Sequence, residues 1–183
     1  MPKKFKLLHI VIFFVACAYA GLIVYATRVT ALLQANQFAK TEVLYSHQEQ
    51  IPPHIISLIR TSQNYVYLAM YTLTHEDLVD ALIAAKLRGL DVRVLLDFSQ
   101  STIEQEKPQI SKMKKYNIDV KIPFREDGIM HTKMLLTDSG YASGSFNWTI
   151  SAANYNDEVL EIGQVRAIHD QYMQVWNQLW QEK

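Results

Sequence analysis

The chain of 183 residues, 49% of them hydrophobic, can build one domain with a real core and hardly two. Its 18 basic and 18 acidic residues cancel, and four of the bases, Lys3, Lys4, Lys6 and Arg28, flank the first apolar stretch, so the remainder is mildly acidic. That balance argues against a protein that coats nucleic acid by charge alone, and the single Cys17 excludes a disulfide framework or cysteine-based zinc site within one chain.

The first element is "LLHIVIFFVACAYAGLIVYA", residues 7–26, without one Asp, Glu, Lys or Arg. As a helix it reaches about 30 Å, the thickness of the hydrocarbon layer. The lysines before it predict an N-terminus held in the cytoplasm and a body exported across the membrane. A cleaved signal peptide is the competing reading, with "AYA" at 18–20 as the cleavage site, and a lipid on Cys17 is a third. Residues 1–28 are thus an anchor or signal, 29–41 a polar, helix-prone stem, and 42–183 the folded domain. The domain is expected outside the cytoplasm, periplasmic in a bacterium, either membrane-anchored or released.

Within the body, "EVLYS" (42–46) and "YVYLAM" (65–70) read as strands, and "PPHIISLIRTSQ" between them has helical spacing at Ile55, Ile56 and Ile59. A helix with readable ends follows. Thr74 is its expected N-cap, Asp77 completes a capping box, Lys86 and Arg88 suit its C-terminal dipole, and Gly89 stops it. "DVRVLLD" (91–97) is nearly continuously apolar, as in a strand covered on both faces. Residues 101–116 read as a helix, "IDVKI" and "DEVLEI" as strands, and "VRAIHDQYMQVWNQLWQ" as a closing amphipathic helix with apolar spacing at Ile168, Tyr172, Val175, Trp176 and Leu179. Lys112, Lys114, Lys115, Lys121 and Arg125 form either a local basic groove or a solvated face. The alternation predicts an α/β domain, a layered mixed sheet flanked by helices, and no internal repeat is visible.

"HTKMLLTD" (131–138) places His131, Lys133 and Asp138 at H-x-K-x4-D spacing inside an apolar run. On a strand His131 and Lys133 share a face, Asp138 does not, and Thr132, Met134 and Leu136 fill the other. The next strand, "YASGSFNW", gives Ser145 and Asn147 equal parity. Pairing Asn147 with His131 places Ser145 opposite Lys133 and Thr137 opposite Tyr141. That register leaves a three-residue turn, Asp138 to Gly140, with glycine at its left-handed position.

This pattern, followed by Gly144-Ser145-x-Asn147, resembles the phospholipase D superfamily motif. "RTSQNYVYLAMYTLT", "ALIAAKLRGLDVRVLLD", "GIMHTK", "GSFNWT" and "NYNDEV" are similar to its small single-motif members, exported bacterial endonucleases and mitochondrial-surface nucleases or cardiolipin hydrolases. The resemblance covers about residues 42–180. One residue fewer than usual separates Asp138 from Gly144, which puts the role of Asp138 in doubt.

The resemblance implies phosphodiester hydrolysis with His131 forming a phosphohistidine that water then cleaves, and Glu158 holding the imidazole tautomer through its other ring nitrogen. Lys133 supplies positive charge and Asn147 an amide donor to the phosphate oxygens, while Ser145 adds a hydroxyl or steadies Asn147. In-line displacement wants an imidazole on each side of phosphorus, and one motif gives one. A homodimer sharing one active site is therefore expected, with no cofactor and no metal: His47, His54, His75 and His169 lack ligand spacing and read as surface or helix-end residues. An endonuclease on DNA or RNA is the first reading, and a phospholipase D acting on the bilayer the second. A catalytically silent membrane-anchored binding protein is the third. The bland alternatives are a structural histidine at 131, a turn residue at Asp138, a glycosylation site at Asn147, and core roles for Trp148, Tyr155, Trp176 and Trp180.

Overall fold

The computed structural model describes residues 3–37 and 40–182, with side chains for 12–30 and 40–182. Two compact units divide the chain, Met1–Ala39 and Lys40–Lys183. In the first, α1 (Lys3–Gln37) is one uninterrupted helix. Its segment Ile12–Thr30, with mean hydropathy 1.8, is long and apolar enough to cross a bilayer. The expected stem is helical through Gln37, since residues 28–37 hold no Gly or Pro to stop it. Phe38 and Ala39, and the side chains of Lys3, Lys4 and Lys6, lie outside the described residues.

The second unit is built on a mixed sheet of seven strands: β1 (Thr41–Tyr45), β2 (Tyr65–Met70), β3 (Asp91–Leu96), β4 (Asp119–Lys121), β5 (Lys133–Thr137), β6 (Gly140–Gly144) and β7 (Val159–Gly163). Their order is β1-β7-β6-β5-β2-β3-β4, with β2, β3 and β4 parallel and the other pairings antiparallel. One face is covered by α2 (Ile51–Thr61), α3 (Glu76–Leu87), α5 (Lys107–Lys115) and α6 (Ile150–Asn154), which bury Ile55, Leu82, Met113 and Ala152 against Leu68, Val94 and Leu135. The other carries α7 (Arg166–Gln181), where Trp176 packs on Ala69, Leu95, Met134 and Leu136. This is the layered α/β arrangement expected from the sequence, with β2 and β3 buried on both faces as their apolar runs require.

Several local expectations need correction. Helix α3 starts at Glu76 with His75 as N-cap and no side-chain cap, because the backbone N–H groups of Thr74 and His75 both donate to Trp148 O at 2.8 Å. That tie to another segment replaces the capping box. Its other end behaves as expected: Gly89, at φ +90°, donates to Lys86 O at 2.9 Å and leaves the helix. The helix expected over 101–116 is two, the short α4 (Phe98–Ser101) capped by Asp97, and α5, which carries Pro108 in its first turn. Val175 faces solvent while its helical neighbour Trp176 is buried.

The hairpin register also differs by one residue. Leu136 pairs with Tyr141 and Thr137 with Gly140, so the turn is Asp138–Ser139 rather than three residues. Gly140 is there for a different reason, since a Cβ on it would lie 2.6 Å from Gly163 O. The register sends Tyr141 to the α7 face, where it packs beside Tyr172 and donates to Glu161. Both strands are shorter than expected, so His131 and Asn147 stand just beyond the sheet.

Candidate active site

The carboxyl ends of β2, β3 and β4 meet the start of β5, the end of β6 and the start of β7 at one edge of the sheet. His131 and Lys133 lie there, on the segment entering β5; carboxyl ends of parallel strands are where α/β sheets commonly bind ligands. Lys133 is only 6% exposed and faces the α2 side among Ile55, Met70, Phe146 and Trp148. Its ammonium donates to His131 O at 2.9 Å and lies 4.9 Å from the centre of the Tyr71 ring. Among the described residues it has no ion-pair partner. Burial holds its pKa below the usual lysine range, and the charge of Glu158 works in the opposite direction.

His131 is exposed, and its ring meets that of Tyr71 edge-on at 4.5 Å. Among the described residues no side-chain hydrogen bond fixes its imidazole. Asn147 is half-buried, and its Oδ1 is sealed from solvent with no partner among the described residues. The segment holding Asn147 is sewn to the loop after β2: Trp148 N donates to Thr72 O at 3.1 Å, beside the two bonds from Thr74 and His75.

Glu158 is buried, and its two oxygens are already engaged, one by the Ser145 hydroxyl and the other by Asn156 Nδ2 at 3.1 Å. Within a single chain it therefore holds Ser145 rather than the His131 ring. Ser145 Oγ in turn accepts from Val159 N at 3.1 Å. Gly144 makes this possible, since a Cβ there would lie 2.1 Å from Val159 O. Asp138 sits at the opposite end of β5, where its carboxylate accepts from Gln63 N at 3.1 Å and Asn64 Nδ2 at 2.7 Å. Burial acts to raise the Asp138 pKa, but these bonds outweigh it and hold it below the usual carboxylate range. Its geometry is that of a tie between the β5–β6 turn and the α2–β2 loop.

Three residues that sequence reasoning did not single out complete the edge. Tyr71 packs on both His131 and Lys133. Asp97, at the carboxyl end of β3, accepts from Ser99 N and Gln100 N, and through its other oxygen from Met130 N at 2.8 Å, next to His131. Burial favours its neutral form, yet the bonds from Ser99, Met130 and Gln100 together pull its pKa below the usual range. Glu106 is fully buried and accepts from Leu73 N at 3.0 Å. The readable signal for Asp97 was its position, a carboxylate ending a buried parallel strand; Tyr71 and Glu106 carried none.

The remaining histidines divide. His47 and His54 are surface residues facing Asp157 and Glu49, and His75 caps α3. His169, expected at the surface or a helix end, lies near the start of α7 but is buried, and bridges Tyr65 OH and Thr137 O. Of the aromatic residues expected in the core, Trp148 and Trp176 are buried and Trp180 stacks on Trp176, but Tyr155 is 76% exposed. The basic segment is largely spent: Lys112 pairs with Asp80, Arg125 with Glu182, and Lys121 donates to Trp180 O.

Comparison with known proteins fits this architecture. The family described as "Cardiolipin synthase, PLD-like domain" matches residues 55–180. A phospholipase D of Rickettsia prowazekii is 32% identical over 123 residues, 67% of this chain and 58% of the relative. A mitochondrial cardiolipin hydrolase of Xenopus tropicalis is 28% identical over 74% of this chain and 64% of its own. The matched region thus spans less than two thirds of these relatives. Among solved structures, the phospholipase D family member Nuc from Salmonella typhimurium superposes with TM-score 0.73 at 24% identity, over 79% of this chain and 95% of that one. NucT from Helicobacter pylori gives 0.71 at 22%, over 79% and 97%.

Proposed function

This chain belongs to the phospholipase D-like family, and from that premise we propose that it hydrolyses phosphodiesters through a phosphohistidine on His131, without a metal, as a homodimer whose two copies share one phosphate. The observation that carries this reading is Lys133, a buried ammonium without a carboxylate partner among the described residues, beside an exposed imidazole. An uncompensated buried charge costs stability, and an anionic oxygen placed between Lys133 and the Asn147 amide offsets that cost. In the reaction the neutral His131 ring attacks phosphorus in line. The leaving alkoxide takes a proton from the imidazolium of the second copy's own residue 131. Water then attacks the phosphohistidine, giving its proton to that second imidazole, and releases the phosphate monoester and His131. Tyr71 and Asp97 hold His131 in place, and Glu158 fixes Ser145 beside the phosphate site.

A nucleic-acid backbone is the first substrate reading, favoured by the exposure of His131 at an open edge that a polymer can cross. A phospholipid is the second. It is favoured by the exposed Phe98, Phe124 and Ile129 on segments next to the site, by the engagement of Lys112 and Arg125 of the basic segment in ion pairs, and by relatives named phospholipase D and cardiolipin hydrolase. For location we propose an anchor at residues 7–26 with the body outside the cytoplasm.

The test uses the full chain in detergent micelles, supplied in chelator with labelled DNA, RNA, and vesicles of phosphatidylcholine or cardiolipin. Turnover of one class, lost in His131→Ala and accompanied by an acid-labile phosphoprotein, is the expected result. Activity that disappears in chelator and returns with a divalent cation overturns the mechanism, and no turnover on any substrate overturns the function.

A further inference from the structure

Helices α4 and α5 form a bracket beneath the site, and three side chains tie it to two of the segments there, the one that ends on His131 and the loop that begins at Tyr71. Asp97, the cap of α4, accepts from Met130 N beside His131. Gln100 on α4 donates to Tyr71 OH at 3.1 Å and accepts from Thr72 Oγ1 at 3.2 Å. Glu106, the residue before α5, reaches Leu73 N at 3.0 Å, in the middle of the loop from Tyr71 to His75. That loop in turn carries the backbone bonds to Trp148 that locate Asn147.

Asp97 and Gln100 each have both polar side-chain atoms engaged in hydrogen bonds, but Glu106 does not. It is 0% exposed, one oxygen holds Leu73, and the other is sealed with no partner among the described residues. A buried carboxyl with half its hydrogen-bonding capacity unused is expensive, so such an arrangement calls for an explanation. We propose that Glu106 is a positioning residue for the phosphodiesterase site: through Leu73 it sets the loop that seats Tyr71 against His131 and Lys133 and aligns Asn147, and it does so as a neutral acid. The inference rests on the functional reading above but not on turnover alone.

Its charge state follows from its surroundings. Burial raises its pKa to about 7; the Leu73 N–H opposes the shift, and Asp97, the charged side chain that acts on it, adds to it. Ionisation would place a second negative charge beside Asp97, behind a site that must accept an anion. An amide of the same shape keeps the carbonyl acceptor for Leu73 and removes the titration.

The experiment has two readouts on the full chain in detergent. The first is the NMR resonance of the carbon-bound ring proton of His131, assigned by its absence in His131→Gln and shifted by the neighbouring Tyr71 ring. Glu106→Gln supplies the reference curve, in which the only charge change is that of the His131 ring itself; Glu106→Ala is expected to depart from that curve at every pH, and wild type to depart from it as the pH rises through about 7. The second is the pH profile of kcat/KM, where Glu106→Gln should match wild type within about twofold at pH 6 and exceed it severalfold at pH 8. Glu106→Ala should fall more than tenfold at both. A resonance unchanged in Glu106→Ala, or identical pH dependence in wild type and Glu106→Gln, overturns the proposal. The NMR readout stands even if no phosphodiester is turned over, so failure of the functional reading is told apart from failure of this one.

Discussion

Replacing Gly144 by alanine tests how the site is assembled, because the glycine is required by distance rather than by backbone angle. A Cβ at 144 would lie 2.1 Å from Val159 O and 3.0 Å from Leu160 Cα. A relaxed carbon-to-oxygen contact is about 3.3 Å or more, so β6 and β7 must separate by about 1 Å at that point. Both obstacles are backbone and cannot rotate aside. The separation pulls at Ser145 N to Val159 O, now 2.9 Å, and at Val159 N to Ser145 Oγ, now 3.1 Å. Two hydrogen bonds at about 1 kcal/mol each, added to about 1–3 kcal/mol of overpacking, give a destabilisation of about 3–5 kcal/mol. Ser145 and Glu158 then part, and kcat should fall at least tenfold. Urea unfolding followed by fluorescence reports the stability, since Trp148, Trp176 and Trp180 all lie in the folded body. Gly89→Ala is the control: its φ of +90° strains any side chain but its surroundings are open, so it should cost about 1 kcal/mol and leave kcat alone. Gly144→Ala unfolding within about 0.5 kcal/mol of wild type, with normal kcat, would refute the close-approach argument.

Asp138→Ala should lose about 1–3 kcal/mol of stability by freeing Gln63 N and Asn64, yet keep kcat within about twofold, because the residue is at the far end of β5 from His131; a hundredfold drop in kcat would make it part of the chemistry. Its lowered pKa also means that it stabilises the fold above the unfolded carboxylate pKa and loses that contribution as the pH falls below it, so Asp138→Asn should blunt the acid transition. Glu106 has the opposite sign: with its pKa raised from 4.5 to about 7, its contribution is complete below 4.5 and lost as the pH rises through about 7, roughly 3 kcal/mol in unfolding free energy that Glu106→Gln should not show. Asp97→Ala frees Met130 N and should lower kcat at least tenfold, measured by single-turnover kinetics; an unchanged rate would deny Asp97 any part in placing His131. Mixing His131→Ala with Lys133→Ala chains should not restore a complete site, and recovery of full activity would contradict a phosphate shared by both copies.

Much of the framework could be read from residue order because it rests on local periodicity. The apolar runs at 65–70 and 91–96 make strands covered on both faces, and the spacing of Ile168, Tyr172 and Trp176 makes α7 lie on the sheet. His131, Lys133, Gly144, Ser145 and Asn147 were likewise visible as a spaced set, and they converge on one edge. The hairpin register was not. Hydrophobic alternation allows pairings that differ by one residue when a glycine can serve either in a turn or at a close contact, and Gly140 serves at the contact with Gly163.

The sequence by itself determined the layers, the apolar N-terminal helix and the titratable groups that reach the site, since these follow from side-chain chemistry at fixed spacing. Only the tertiary structure decided what surrounds them. Tyr71 on Lys133, Asp97 on Met130, Glu106 on Leu73 and the engagement of Glu158 by Ser145 and Asn156 join residues distant in the chain. Such contacts depend on where separate strands end relative to one another, and no periodicity along a single segment encodes that.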